Sequence, residues 1–259
     1  MAAAGLACGG CATVQSIGDM LMSANVFSTA DEVQFGQQFA AEIEKEAKPL
    51  NNAAVQNYVR QVGARVAAKS PRQDVQYHFM VIDAPKEVNA FAVPGGYIYV
   101  YTGLLKKMDN EAELAGVLAH EAGHVAAKHS MKQMTRQMGY DMITQMLLGQ
   151  QTDQWQGAAA QMVGELGFLH FSREQEREAD HLAVGIARGS GYDARGLVTF
   201  LDKLVAMQQY EPSVVERMLA THPAPSERRT NVAQEIQTLG GAPGEVAANR
   251  YKAAMAALP

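Results

Sequence analysis

The chain has 259 residues, enough for one large domain or two small ones with a substantial core. Its net charge of −5, with no basic run, argues against a nucleic-acid partner. No stretch is continuously apolar for the eighteen or so residues that a membrane-spanning helix needs.

Cys8 and Cys11 are the only cysteines. A Cys-x-x-Cys pair can serve redox chemistry or half a zinc site, but no second pair and no following βαβ pattern supports either. The run Ala2–Ala7 followed by Cys8-Gly9-Gly10-Cys11 resembles the end of a secretory signal, with Cys11 in the place of a bacterial lipoprotein acceptor and so a candidate lipid anchor. It lacks a charged leader, its apolar part is short, and Cys8 stands where such a signal normally has Leu. Residues 1–27 are therefore expected to be a signal remnant and flexible lead-in, with one domain over 28–259.

Thr29-Ala30-Asp31-Glu32 reads as a capping box opening a helix to about Ala47, ended by Pro49. A second helix, roughly Asn51–Lys69, carries Val55, Val59, Val62 and Val66 on one face. Val75–Asp83 is rich in β-branched and aromatic residues and predicts a strand. Val88–Val93 and Tyr97–Tyr101 read as two more strands around the turn Pro94-Gly95-Gly96. The first of these ends at a proline, which suits a sheet edge. An edge strand is usually guarded against aggregation; the functional alternative is that its unpaired backbone accepts a peptide as an extra strand.

From Thr102 onward the pattern is helical, and its first long helix, Asn110–His129, contains His120-Glu121-Ala122-Gly123-His124. Asn110 is a good N-cap, with Glu113 three residues on. Histidines four apart share one helical face and can bind one zinc ion, while Glu121, one residue round, is placed to take a proton from a water there and pass it to a leaving amine. The plain alternative is a buried helix with satisfied core histidines. Helices are expected next over Met131–Leu148, Trp155–Arg188, Ala194–Gln209, Val214–Ala220, Ser226–Leu239 and Glu245–Ala257. Methionines at 131, 134, 138, 142 and 146 follow helical spacing and read as core. The whole is α+β, mostly helical, with a small sheet beside the motif helix.

A catalytic zinc takes three protein ligands. A third histidine shortly after the pair is excluded, because Ser130 stands at that position and His129, five residues from His124, lies well round the helix. The segment Ser172–Asp180 offers Glu174, Glu176 and Glu178 instead. Periodicity does not choose among them, and a solvated charged face is the plain alternative. Glu176 and Asp180 share a face, so one could ligate while the other holds a histidine N–H, but Glu174 and Glu178 are equally spaced. His78, His129, His170 and His181 carry no functional assignment.

Four segments together resemble the zinc peptidases that include HtpX and the type-I CAAX prenyl proteases, above all their soluble periplasmic BepA- and LoiP-like members. They are Asn89–Gly96, His120–His124, Ser172–Asp180 and Thr221-His222-Pro223 through Arg228, in order across about residues 30–240. The resemblance implies a zincin-like (gluzincin) domain with one Zn2+ per chain, held by His120, His124 and Glu176, with Asp180 behind them and Glu121 as the base. It implies that Asn89, Ala90, Phe91, Ala92 and Val93 bind the substrate backbone. His222 would lie near the metal, where some periplasmic relatives carry a fourth ligand that keeps the enzyme shut, and Arg228 is a candidate for oxyanion or support duty. The expected function is zinc-dependent cleavage of unfolded or misfolded proteins, exported to the bacterial periplasm or the periplasmic face of the outer membrane. An envelope binding or chaperone-like protein with a largely closed zinc site is the alternative.

Overall fold

A computed structural model describes residues 27–136 and 170–258. Cys8, Cys11, most of the lead-in, Met138, Met142, Met146 and the helices expected over 137–148 and 155–169 lie outside the described residues. The chain opens with α1 (Thr29–Glu46), α2 (Ala53–Ala67), β1 (His78–Ile82), β2 (Ala90–Val93) and β3 (Tyr97–Tyr101), followed by α3 (Thr102–Lys107) and α4 (Glu111–Ala126). Residues 129–136 are again helical. After the undescribed stretch come α5 (Arg173–Gly189), α6 (Arg195–Tyr210), α7 (Pro212–Thr221), α8 (Pro225–Leu239) and α9 (Ala248–Met255).

The sheet has the order β1-β3-β2, with β1 parallel and β2 antiparallel to β3. Between β2 and β3, Pro94-Gly95-Gly96 forms a single 3₁₀ turn, which needs φ of 76° at Gly95 and 90° at Gly96 and so requires glycine at both. Period-two alternation sorts the side chains. Phe79, Val81, Ala90, Ala92, Ile98 and Val100 join the core shared with α2 and α4, whereas Ile82, Phe91, Val93, Tyr99 and Tyr101 join a second cluster with Phe35, Phe39 and Ile43 of α1. The sheet is thus sandwiched, with β2 as an edge.

β1 and α9 open later than expected, at His78 and Ala248, and two helices are capped otherwise than expected. Ser28, not Thr29, caps α1: its Oγ accepts from the Asp31 amide at 3.2 Å, and the Asp31 carboxylate accepts from the Ser28 amide at 2.9 Å. Thr29 instead donates to Asp74, and Glu32 turns inward to accept from both terminal nitrogens of Arg72 at 2.7 and 2.8 Å. Arg72 Nη1 also donates to the Val125 carbonyl at 2.9 Å, tying α1 to the end of α4. Downstream, Phe171 and Ser172 are not helical, and Ser172 with Gln175 forms a capping box that starts α5 at Arg173.

α4 is buried along almost its whole length, from Glu111 to Val125, as its apolar circumference requires. Asn110 caps it by accepting from the Glu113 amide at 3.0 Å. Small residues let neighbours approach: a Cβ on Gly123 would stand 2.7 Å from the Ala179 carbonyl oxygen of α5. The helix ends at Ala126, three residues short of expectation, because Lys128 adopts the left-handed φ of 56°.

Candidate metal centre

His120 and His124 lie on the face of α4 turned toward α5, and Glu176 and Asp180 on the face of α5 turned back, all buried. Glu174 is exposed and Glu178 half-exposed, so packing separates the three glutamates that periodicity left equivalent. His222 enters from the end of α7 and Arg228 from the first turn of α8.

The donor atoms converge. His124 Nε2 lies 3.0 Å from His120 Nε2 and 3.3 Å from Glu176 Oε1, and His120 Nε2 is 3.6 Å from Glu176 Oε2. His222 Nδ1 is 3.4 Å from His120 Nε2 and 3.0 Å from Glu176 Oε1. Zinc–donor bonds of about 2.0–2.2 Å at tetrahedral angles place neighbouring donors roughly 3.3–3.5 Å apart, and one donor atom from each of His120, His124, Glu176 and His222 lies within 4.8 Å of the others, close enough to share one ion. Both Glu121 carboxylate oxygens and His222 Nε2 are buried without a hydrogen-bond partner, and these two groups stand 3.7 Å apart.

Electrostatics point the same way. The buried carboxyl groups of Glu121, Glu176 and Asp180 meet a single buried guanidinium, Arg228. Such a set is costly without further positive charge. Burial disfavours a charged Asp180, but Arg228 and then His120 outweigh it and hold the carboxyl at about 2. Burial likewise opposes a charged Glu176, yet Arg228 and His222 keep it well below the ordinary range. Burial, with His120 alongside, pushes His124 well down and leaves it neutral, the form that ligates metals. For His222 burial also lowers the pKa, but the Glu176 and Glu121 carboxylates prevail and raise it. The donor set therefore fits one divalent zinc ion.

A model of peptidase family M48 matches residues 53–236, most of the chain. The chain belongs to peptidase family M48. It resembles the beta-barrel assembly-enhancing protease of Escherichia coli (strain K12), 29% identical over 228 residues that cover 83% of this chain and 46% of that protein. It also resembles metalloprotease LoiP of the same strain, 34% identical over 161 residues covering 60% of this chain and 61% of the relative. The mitochondrial metalloendopeptidase OMA1 of Arabidopsis thaliana is 30% identical over 194 residues, 73% of this chain and 38% of that protein. The chain thus spans about half the length of the beta-barrel assembly-enhancing protease it matches. As an M48 member it is a zincin-like metallopeptidase domain whose cofactor is zinc.

Around the M48 centre, Arg228 is fully engaged with acidic groups. Its Nε and Nη2 donate to the two Asp180 oxygens at 2.8 and 2.7 Å, and Nη1 stands 2.6 Å from Glu176 Oε2. Asp180 Oδ1 is 2.9 Å from His120 Nδ1.

The β2 edge is not bare. Tyr101 donates to the Asn89 carbonyl at 3.0 Å, so Asn89, Phe91 and Val93 face β3, while Ala90 and Ala92 turn their backbone groups outward. Ser130 Oγ donates to that outward Ala92 carbonyl at 3.0 Å, and all of Asn89–Val93 is buried. Among the described residues, no helix is long and apolar enough to cross a membrane.

Two residues of the centre carry no sequence assignment. Phe171 stacks on the His124 ring at 4.0 Å between centroids. His129 is fully buried, with Nδ1 2.9 Å from His124 Nδ1 and Nε2 3.1 Å from Glu178. The left-handed turn at Lys128 brings it back to the motif face, which no extrapolation of the helix could show.

Proposed function

We propose that this chain is a zinc-dependent endopeptidase acting on protein substrates, with residues 28–259 as its single catalytic domain. The observation that carries the reading is the buried convergence of His120, His124, Glu176 and His222 with the unpartnered Glu121 beside it. His120 and His124 would hold the zinc through Nε2 and Glu176 through its carboxylate, while Asp180 and Arg228 fix His120 and Glu176 in place. When bound, zinc makes water acidic and a peptide carbonyl electrophilic. Glu121 is the base that accepts the water's proton and returns it to the leaving amine. The outward backbone groups of Ala90 and Ala92 in Asn89–Val93 are suited to an extended substrate.

We propose further that the enzyme is latent, with His222 as the closing group. His222 supplies a fourth protein donor at the corner that a catalytic centre keeps open, and Ser130 occupies an acceptor that a substrate strand would need. These two contacts also favour a second reading, an envelope binding or chaperone-like protein that rarely cleaves. A setting in the bacterial envelope, with unfolded or misfolded proteins as substrates and export or lipid attachment through Cys11, is supported by the Cys8–Cys11 pattern and by the relative named as a beta-barrel assembly-enhancing protease.

The test is cleavage of an unfolded protein by zinc-loaded wild type, by Glu121→Gln, and by wild type under strong chelation. Cleavage is expected to fall about 100-fold or more in the variant, with unchanged zinc content, and to vanish on chelation. Undiminished cleavage by Glu121→Gln would refute the base, and undiminished cleavage under chelation would refute the metal. No cleavage by His222→Ala as well as none by wild type would favour the binding protein, since latency alone accounts for a silent wild type.

A further inference from the structure

Both motif histidines need one ring nitrogen free of its proton to hold a metal, which places the proton of each on the other nitrogen. For His120 that other nitrogen is Nδ1, and Asp180 accepts from it at 2.9 Å. His124 has no carboxylate in the equivalent place. Its Nδ1 faces the Nδ1 of His129 at 2.9 Å, and two such nitrogens bond only if one donates and the other accepts.

Glu178 decides which. Its Oε2 lies 3.1 Å from His129 Nε2 and, as a carboxylate, only accepts. The proton of a neutral His129 therefore sits on Nε2, its Nδ1 is left as an acceptor, and His124 Nδ1 must be the donor. His124 Nε2 is then bare and points at His120 Nε2, Glu176 and the rest of the donor set. His129 is in turn fixed in place. The φ of 56° at Lys128 turns it inward, and the next residue, Ser130, is anchored to the Ala92 carbonyl of β2.

We infer that His129 is a positioning residue, oriented by Glu178, that fixes the tautomer and ring angle of His124 for metal binding. The two ligating histidines are thus held differently: His120 by a buried carboxylate clamped by Arg228, His124 by a neutral ring whose own carboxylate reaches solvent. The link from His124 to the surface makes that ligand the more easily loosened. This inference rests on the reading of His124 as a zinc ligand.

The test measures zinc affinity of the full chain by competition with a chromogenic chelator, together with the His124 tautomer by 15N NMR of the zinc-loaded protein. His129→Phe keeps a ring but removes the acceptor, and is expected to weaken zinc binding about 10- to 100-fold. His129→Asn restores an acceptor near the Nδ1 position and is expected to recover affinity to within about threefold of wild type. Glu178→Ala, at a half-exposed site, is expected to weaken zinc about threefold or more and to let the His129 proton distribute over both nitrogens. Wild-type affinity in His129→Phe, or an equal loss in His129→Phe and His129→Asn, would overturn the inference. If His129→Phe does not fold, unchanged affinity with an unchanged His129 tautomer in Glu178→Ala overturns it equally. A wild-type chain that binds no zinc, or a His120→Ala variant that binds it normally, would instead overturn the reading of the centre.

Discussion

Arg228 shows how much of the centre depends on one charge. Fully buried, it donates twice to Asp180 and pairs with Glu176. Removing one partner of such a set leaves the others as uncompensated buried charges, so Arg228→Ala is expected to cost about 3–5 kcal/mol of stability, measured by urea denaturation of the zinc-free protein. Arg228→Lys keeps the charge but loses the planar fork and should fall between the two. An Arg228→Ala variant as stable as wild type would show that the cluster does not need this cation. His222 carries the opposite expectation. His222→Ala removes the fourth donor, so zinc affinity should fall by about tenfold while cleavage of an unfolded substrate rises. Parallel loss of both would mean that His222 serves the open enzyme rather than closing it. The family resemblance pointed to His222 and Arg228, but not to the buried contacts that set these outcomes. Spacing left Glu174, Glu176 and Glu178 alike, and only the side on which α5 packs against α4 distinguishes them.

At the scale of elements, the local rules were legible where their signals are chemical. Asn110 caps α4, and Pro94-Gly95-Gly96 supplies the positive φ that joins β2 to β3. They failed where the deciding term is tertiary. Glu32 is drawn to Arg72 and leaves the capping of α1 to Ser28, and Lys128 takes a left-handed conformation with no glycine or asparagine to announce it. That single dihedral hid His129. Two glycines test the packing directly. A Cβ added at Gly185, in α5, would have nothing within 4 Å of it, so Gly185→Ala should gain the ordinary helix propensity of about 0.5–1 kcal/mol. Gly123, in α4, would meet the Ala179 carbonyl at 2.7 Å. There the same change must force apart the two helices that carry His120, His124 and Glu176, costing about 1–3 kcal/mol despite the better propensity. Thermal unfolding of the two variants should shift in opposite directions, and only Gly123→Ala should also weaken zinc binding. A stabilised Gly123→Ala would show that α4 and α5 have slack at the metal centre.

Across the whole molecule, the N-terminus of α4 is the point where distant parts of the chain meet. Glu111 accepts from Tyr58 of α2 at 2.5 Å, from Tyr192 after α5 at 2.6 Å, and from both Nε and Nη2 of Arg250 in α9. Burial, with Glu111 as the next cause, pushes the Tyr58 and Tyr192 hydroxyls up and keeps them as donors. For Glu111 burial opposes ionisation, but Arg250, Tyr192 and Tyr58 outweigh it and lower the carboxyl below its ordinary value. A group whose pKa is lower in the folded state binds fewer protons there than in the unfolded chain, so stability rises with pH across that interval. The contribution of Glu111 is therefore fully present above the unfolded value of about 4.3 and is lost as pH falls through the lower folded value. Charge-assisted hydrogen bonds of this kind are worth about 1.5–3 kcal/mol each, so Glu111→Gln should be clearly less stable than wild type at pH 7. The difference between the two proteins should hold from pH 7 down to about pH 5 and shrink below about pH 4, as wild type itself becomes protonated. Comparing the pair at each pH cancels every other titrating group common to both. Urea denaturation midpoints over this range measure the difference, and one that persisted undiminished at the acid end would mean that shape, not charge, joins α2, α4 and α9.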